Sequence, residues 1–155
     1  MEQNDTVALG KEGTAPTVTA SVKDGIVTAL GTSRLWATIG HGILNEVFWQ
    51  ATGQPQVRDL GFIVAGDNYW AEVKRISKYT LTTPAPYIPL PQVVHTGERY
   101  ALTLAFLPDP ARDVLLIRPK LDGARLRLYP LLAPPLALTG RVHQSCLSHG
   151  LFAAP

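Results

Sequence analysis

Short runs of alternating apolar and polar residues, each closed by glycine or proline, dominate this sequence. Such alternation places every second side chain on one face, as in a half-buried β-strand. In Arg99–Phe106 the large apolar side chains fall at every second position. No stretch carries the i, i+3, i+4, i+7 spacing of an amphipathic helix for more than about two turns. The pattern therefore predicts an all-β fold, an antiparallel β-sandwich or a barrel.

The predicted strands follow one another at short intervals, with turn signals between them. They are Thr17–Val22, Arg34–Ile39, Ile43–Trp49, Leu60–Val64, Tyr69–Thr83, Gln92–His95, Arg99–Phe106, Val114–Ile117 and Leu126–Leu128. Gly40–Gly42 and Ala65–Asn68 are predicted turns. Thr83–Pro86 is predicted to end the longest strand, because proline cannot donate a hydrogen bond to a sheet.

The size and composition are those of one globular domain. The chain has 155 residues, 46% of them hydrophobic and 17% charged, so it can bury a core. A formal net charge of +2 is too weak to indicate a nucleic-acid partner. The single cysteine excludes a disulfide framework and a cysteine-built zinc site within the chain. The polar start and the lack of a long apolar run predict no signal peptide, no membrane span and a cytoplasmic location.

The sequence contains no strong motif for metal binding or nucleophilic catalysis. His143, Cys146 and His149 lie in a segment without regular pattern, whereas structural zinc needs four ligands in a rigid frame. There is no Gly-x-Ser-x-Gly nucleophile elbow and no glycine-rich phosphate loop before a helix. We therefore expect no metal site, no cofactor and no catalytic residue.

Glu46 is the carboxylate in the most unusual setting, because it lies inside an apolar strand. Strict alternation turns it to the same face as Leu44 and Phe48, opposite Val47 and Trp49. A carboxylate on an apolar face needs a cationic partner, and Arg34 or Arg58 is the expected one. The candidates for structural ion pairs are Arg34, Glu46, Arg58 and Asp59. A role of Glu46 in facing a ligand stays open.

Large aromatic residues are dense in the first half of the chain. They are Trp36, Phe48, Trp49, Tyr69, Trp70 and Tyr79. Flat rings of this kind either pack in the core of a sandwich or present a face to a ligand such as a sugar ring. The sequence leaves both roles open.

Several segments resemble one known family. They are Lys23–Gly25, Thr28–Gly31, Ser33–Trp36, His41–Phe48, Arg58–Val64, Asp109–Leu116 and Leu128–Pro134. Together they resemble the amino-terminal domain of prokaryotic glucoamylases and glucodextranases, of the glycoside hydrolase family 15 type. The resemblance runs from about Thr14 to Pro134, and its most specific part is His41–Val64.

The resemblance implies a large antiparallel β-sandwich, a supersandwich similar to the galactose-mutarotase fold. In the family this domain precedes an (α/α) toroid, which carries the catalytic glutamates and hydrolyses terminal α-glucosidic bonds with inversion. The toroid is absent from this chain, so the resemblance implies a module that is no enzyme by itself and has the toroid as its partner. The residues expected to face carbohydrate or the domain interface are Asn45, Glu46, Phe48, Trp49 and Trp70.

The resemblance also divides the chain into three parts. Residues 1–13 are expected to be a flexible amino-terminal segment, 14–134 a partial sandwich domain, and 135–155 an irregular tail unrelated to the family. Pro119 and Pro130 fall where family strands should continue, and each removes a ladder donor. The sandwich is therefore expected to be truncated, incomplete at its carboxy-terminal end.

Two other functions are kept as alternatives. A free-standing carbohydrate-binding module would use the same rings, exposed and coplanar, to bind α-glucan oligosaccharides. An independent hydrolase would need two facing catalytic groups, and Glu46 with His41 is the only conceivable couple.

Overall fold

The chain folds into two units of β-structure. A computed structural model describes residues 23–50 and 55–133 in full, and the backbone of residues 6–8, 145–148 and 151–153. One unit comprises residues 1–20 and 136–155, and the other comprises residues 21–135. The described elements are fourteen strands and one turn of helix, which confirms the predicted all-β fold.

The described elements follow in chain order. They are β1 (Thr6–Ala8), β2 (Gly25–Thr28), β3 (Leu35–Gly40), β4 (Ile43–Trp49), β5 (Pro55–Val57), β6 (Asp59–Gly66), β7 (Tyr69–Glu72), α1 (Val73–Ile76), β8 (Lys78–Thr82), β9 (Gln92–Thr96), β10 (Ala101–Pro108), β11 (Leu115–Asp122), β12 (Leu126–Ala133), β13 (Ser145–Ser148) and β14 (Leu151–Ala153).

The larger unit is a sandwich of two antiparallel sheets. One sheet has seven strands in the order β12-β6-β4-β3-β2, with β5 paired to β4 and β7 paired to β6. The other has four strands in the order β11-β10-β9-β8. The hairpin between β3 and β4 turns at His41 and Gly42, with φ angles of 55° and 72°, which confirms the predicted turn there.

The core lies between the two sheets and follows the strand alternation. On the four-stranded sheet, Leu102, Leu104 and Phe106 of β10 are at most 1% exposed, as their alternation predicts. The facing side chains from the seven-stranded sheet are Val27, Ala37, Ile39, Leu44, Val47, Phe62, Val64 and Ala71. Burial of each large apolar side chain contributes roughly 1.5–3 kcal/mol, so this shared core holds the sheets together.

A β-bulge in β4 changes which of its side chains face the core. Leu44 and Glu46 each stand opposite a residue of β3, whereas Asn45 between them has no such partner. The extra residue shifts the alternation by one position. Strict alternation predicts Leu44 and Val47 on opposite faces, but both lie in the core cluster. That prediction is wrong for Leu44, and Glu46 lies on the outer face of the sheet.

One turn of helix, α1, interrupts the predicted strand Tyr69–Thr83. The backbone N–H and the hydroxyl of Ser77 both donate to the Val73 carbonyl, at 3.3 and 2.6 Å. Before this turn the chain runs in the seven-stranded sheet as β7, and after it in the four-stranded sheet as β8. The prediction of one long strand is wrong because the two halves belong to different sheets.

Pro119 and Pro130 lie inside strands, although each removes a ladder donor. Pro119 in β11 pairs with Leu104, and Pro130 in β12 pairs with Phe62. Among the described strands, β11 and β12 each stand last in the order of their sheet. Edge strands tolerate proline because the position of its nitrogen can face away from the neighbouring strand. Both strands therefore continue through their prolines.

The smaller unit contains a three-stranded antiparallel sheet in the order β1-β13-β14. Two of these strands come from residues 135–155, where the sequence pattern predicts irregular structure. They gain a partner that is distant in sequence, because β13 pairs with β1 from the other end of the chain. The predicted strand Thr17–Val22 lies outside the described residues. The domain boundaries at residues 13 and 134 stay predictions.

Candidate functional site

The outer face of the seven-stranded sheet carries most of the residues singled out in the sequence. Trp36 of β3 and Phe48 of β4 stand directly opposite each other. Their rings stack with centroids 4.2 Å apart and planes 11° apart. Because Phe48 is only 7% exposed, its ring serves packing and leaves little surface for a ligand.

Glu46 is held on this outer face by an ion pair with Lys23. Lys23 lies just before β2, two strands away from β4 in the sheet order. The sequence predicts Arg34 or Arg58 as the partner of Glu46. The structure shows Lys23 as a partner instead, because the order of β2, β3 and β4 in the sheet brings Lys23 close to Glu46. Asn45, the neighbouring candidate, is 5% exposed.

Trp49 belongs to a cluster around the carboxylate of Asp113, which follows β10. Its indole N–H donates to Asp113 Oδ2 at 2.7 Å. The backbone N–H of Arg34 donates to Oδ1 at 2.6 Å, and the Arg34 guanidinium donates to Oδ2 at 3.2 Å. These donors, the Arg34 backbone N–H first and the Trp49 indole next, lower the pKa of Asp113. Arg34 also stands over the Trp49 ring, 5.7 Å from its centroid.

Asp59, the remaining acidic candidate, is bound by a lysine of α1. Its Oδ2 accepts a hydrogen bond from Lys74 Nζ at 3.0 Å. The backbone N–H of Arg58 donates to the Ala133 carbonyl at 2.9 Å, which ties the start of β6 to the end of β12. Ion pairs thus join three of the candidates to partners from other elements: Arg34 to Asp113, Glu46 to Lys23, and Asp59 to Lys74.

A cleft of about 460 Å³ opens on the same outer face, beside α1. Its lining includes Ile43, Gly61 and the end of β12. The charged side chains of Asp59, Glu72, Lys74 and Arg75 also line it. Glu72 is paired with Arg75, with 2.6 Å between Oε2 and Nε. The volume lies in the range of small-molecule sites, roughly 300–1,000 Å³.

His41 also lines this cleft, whereas Glu46 is paired with Lys23. The structure therefore supplies no contact between the two residues that a hydrolase would have to use together. The cleft brings two sequence candidates, His41 and Asp59, together with residues that sequence reasoning did not combine. Because residues of β7, α1 and β12 line the cleft, no local sequence motif predicts it.

Trp70 is the most exposed of the candidate rings, at 70%. It lies opposite Ala65 of β6, on the outer face of the sheet. Tyr129 of β12 is 47% exposed and stands opposite Ile63, on the same face. Sequence reasoning missed Tyr129 as a site residue. The alternation after Leu126 was the signal that could have found it, since it turns Tyr129 away from the core.

His95 is fully buried and joins the two sheets. Because a carbonyl can only accept, His95 Nε2 donates to the Gly42 carbonyl at 2.7 Å. Nδ1 lies 2.8 Å from the Ser77 hydroxyl. Burial lowers the pKa of His95, and the bond to Gly42 opposes that shift. A Cβ at Gly42 would lie 2.4 Å from His95 Cε1, so this contact requires glycine.

Within the part of the chain that the structure describes, no cluster of three or more His, Cys, Asp or Glu side chains could hold a metal ion. The histidines at 143 and 149 lie outside the described residues, and of Cys146 only the backbone is described. In that same part, no helix has the length and apolar character needed to cross a membrane.

Comparisons with known proteins agree with this architecture. The chain is similar to a bacterial glucoamylase solved in complex with acarbose, with a TM-score of 0.77 and 18% sequence identity. The similarity covers 97% of this chain and 26% of the glucoamylase chain, and at this identity it shows the fold. No curated protein sequence matches the chain.

A family model described as glucodextranase, domain N, matches residues 8–154. The matched range includes the outer face, the cleft, and nearly all of the segment for which the sequence predicts no relation to the family. The all-β sandwich and this match agree on one assignment: the chain belongs to the glucodextranase domain N family.

Proposed function

We propose that this chain is a non-catalytic β-sandwich module of a glucoamylase-like glycoside hydrolase and that it packs on a catalytic domain. The observation that carries the proposal is the match to glucodextranase domain N over residues 8–154. The chain spans about a quarter of the glucoamylase that it resembles, 26% of that chain. In this proposal the catalytic partner is the (α/α) toroid of such hydrolases, and the parent reaction is hydrolysis of terminal α-glucosidic bonds.

The ion pairs on the outer face support the non-catalytic part of this proposal. Glycoside hydrolysis uses two carboxyl groups, one of which must hold a proton as general acid. Glu46, Asp59 and Glu72 each face a cation at ion-pair distance. Each of these three carboxylates is therefore accounted for as a structural contact within the fold.

The surface around Glu46 is our proposal for the domain interface. Ile26 of β2 is 54% exposed and stands opposite Thr38 of β3, which in turn stands opposite Glu46. Trp49, 45% exposed at the end of β4, stands opposite Leu35 and donates to Asp113, so it lies on the side of the four-stranded sheet and outside this surface. Exposed apolar side chains rimmed by polar groups are typical of interaction surfaces. Asn45 and Phe48 would support this surface from beneath rather than contact the partner.

The first experiment separates a non-catalytic module from an enzyme. The full chain is incubated with maltoheptaose and dextran, and release of reducing sugar is measured. We expect no turnover. Hydrolysis that disappears in Asp59→Asn or Glu72→Gln would overturn the non-catalytic assignment.

A second experiment tests packing on a catalytic domain. The full chain is mixed with the separately expressed catalytic domain of the bacterial glucoamylase that it resembles, and sedimentation velocity measures complex formation. We expect a complex that Ile26→Asp weakens and that Tyr87→Asp, a change at a fully exposed site, leaves intact. Two species that sediment independently would contradict the proposed packing.

A carbohydrate-binding module is the second candidate function, and one observation favours it. Trp70 is 70% exposed, so its ring is open to solvent. An exposed indole ring combines a large apolar face with a hydrogen-bond donor, which suits a ligand that is apolar on its faces and polar at its edges.

A further inference from the structure

We propose that the outer face along β6 is a binding trough for an uncharged α-glucan chain. This inference rests on the carbohydrate-binding candidate above and gives that function a location and a ligand class. The residues of the β6 trough are Gly61, Ile63 and Ala65 in its floor, Trp70 and Glu72 on β7, and Arg127, Tyr129 and Leu131 on β12. At one end the trough leads into the cleft beside α1.

The strand register places large side chains on both sides of β6. Phe62 and Val64 of β6 face the core, so Gly61, Ile63 and Ala65 face outward. Trp70 and Arg127 stand on either side of Ala65, and Glu72 and Tyr129 stand on either side of Ile63. The side chains that flank Ala65 are larger than Ala65 itself, and Gly61 has no side chain, so the face is recessed at these two positions, with Ile63 between them. From Ala65 to Asp59 the floor extends about 20 Å, at about 3.3 Å per residue.

Two exposed rings stand on opposite walls of the trough. Trp70 and Tyr129 are 70% and 47% exposed, and two strand spacings, about 10 Å, separate their strands. One ring stands in the Ala65 row and the other in the Ile63 row, so they are staggered along the trough. A chain of sugar units lying along β6 would meet one ring after the other, and its apolar ring faces could pack on both.

The charges in the trough favour a neutral ligand. Glu72 is paired with Arg75, and Asp59 with Lys74 at the cleft end. Each pair cancels its own charge while keeping carboxylate oxygens and N–H groups that can bond to hydroxyl groups. Arg127 on the β12 wall is one further cation in the trough, whereas a site for an anion would gather several cations. A polyhydroxylated and uncharged chain matches both the rings and the ion pairs.

Titration calorimetry on the full chain tests the proposal. The ligands are maltoheptaose and isomaltoheptaose, two neutral glucans of different linkage, and an oligogalacturonate of equal length as the anionic comparison. We expect at least one neutral glucan to bind and the oligogalacturonate not to bind. Trp70→Ala and Tyr129→Ala should each weaken binding about tenfold, as loss of a buried aromatic contact does.

Two further variants make the test specific to the trough. Ala65→Arg fills the floor between the two rings and should abolish binding, while circular dichroism reports the retained fold. Tyr87→Ala removes a ring of full exposure outside the trough and should leave the affinity unchanged.

Three outcomes would overturn the trough. If the folded chain binds no neutral glucan, the β6 trough is not a glucan site, even if the chain still packs on a catalytic domain. Glucan binding that survives Trp70→Ala and Ala65→Arg would place the carbohydrate site elsewhere. A change of sedimentation in Trp70→Ala without any glucan affinity would mean that a second copy of the chain occupies this face.

Discussion

At the scale of single residues, His95 links the two sheets through a hydrogen bond that its Nε2–H donates to the Gly42 carbonyl. Its partners, the Gly42 carbonyl and the Ser77 hydroxyl, come from the β3–β4 turn and from the end of α1. The side chain is fully buried, so replacement by a residue that leaves Gly42 without a donor should cost roughly 1–3 kcal/mol.

The lowered pKa of His95 predicts acid sensitivity of the fold. The unfolded chain takes up a proton near the ordinary pKa of 6.5, whereas the folded chain does so only at lower pH. Stability should therefore fall as the pH drops from 6.5 toward the folded pKa, and level off below it. Urea unfolding of the native chain and of His95→Gln between pH 7.5 and 5 measures this; we expect a flatter profile in the variant.

His41→Asn is the matched control for the pH profile. His41 is exposed in the hairpin turn with a φ of 55°, a conformation that asparagine tolerates. The control should keep the slope of the native chain. If His41→Asn flattens the profile as much as His95→Gln does, the acid sensitivity does not come from His95.

At the scale of elements, the loop from β10 to β11 is fastened to the ends of β3 and β4. Asp113 of this loop accepts hydrogen bonds from Arg34 and from the Trp49 indole. The Pro110 carbonyl accepts from the backbone N–H of Thr32, at 2.9 Å. The loop thereby connects the four-stranded sheet to the seven-stranded sheet at one end of the sandwich, as His95 connects them through the β3–β4 turn.

Asp113→Ala should loosen this connection. Four donors, from Ser33, Arg34 and Trp49, lose their acceptor, so we expect a lower melting temperature and an upfield shift of the Trp49 indole N–H signal in proton NMR. Because donors lower the pKa of Asp113, the stabilisation is present above its ordinary pKa of 3.8 and is lost as the pH falls through the folded value. The control Asp122→Ala removes an exposed ion pair with Lys120. It should change neither the melting temperature nor the Trp49 indole N–H shift.

At the scale of the whole molecule, two of the edge strands of the described sandwich, β11 and β12, contain proline. An open strand edge offers unpaired N–H and C=O groups to another chain, and proline removes one of the donors. The prolines that seemed to break strands in the sequence therefore have a second consequence, protection of the edges against pairing.

The double variant Pro119→Val/Pro130→Val should self-associate. Valine restores an N–H at each edge and has a high preference for strands. Sedimentation velocity over a range of concentrations should show larger species than for the native chain. The control Pro84→Val changes an exposed loop residue and should sediment as the native chain does. An unchanged sedimentation profile of the double variant would contradict edge protection.

The sequence by itself determined the all-β class, most strands, the family and the core face of β10. These depend on local alternation and on turn residues, which act within a few positions of one another. Local pattern failed at the bulge at Asn45 and at α1, where pairing and sheet membership overrule alternation.

Only the tertiary structure decided the partners and the site. Glu46 is paired with Lys23 and Asp59 with Lys74, because neighbouring elements bring these cations close in space. The β6 trough and its cleft combine residues from β6, β7, α1 and β12, with Tyr129 far in sequence from Trp70. Strand order and register, which arise from burial across the whole core, place those side chains on one face, and no short stretch of sequence encodes them.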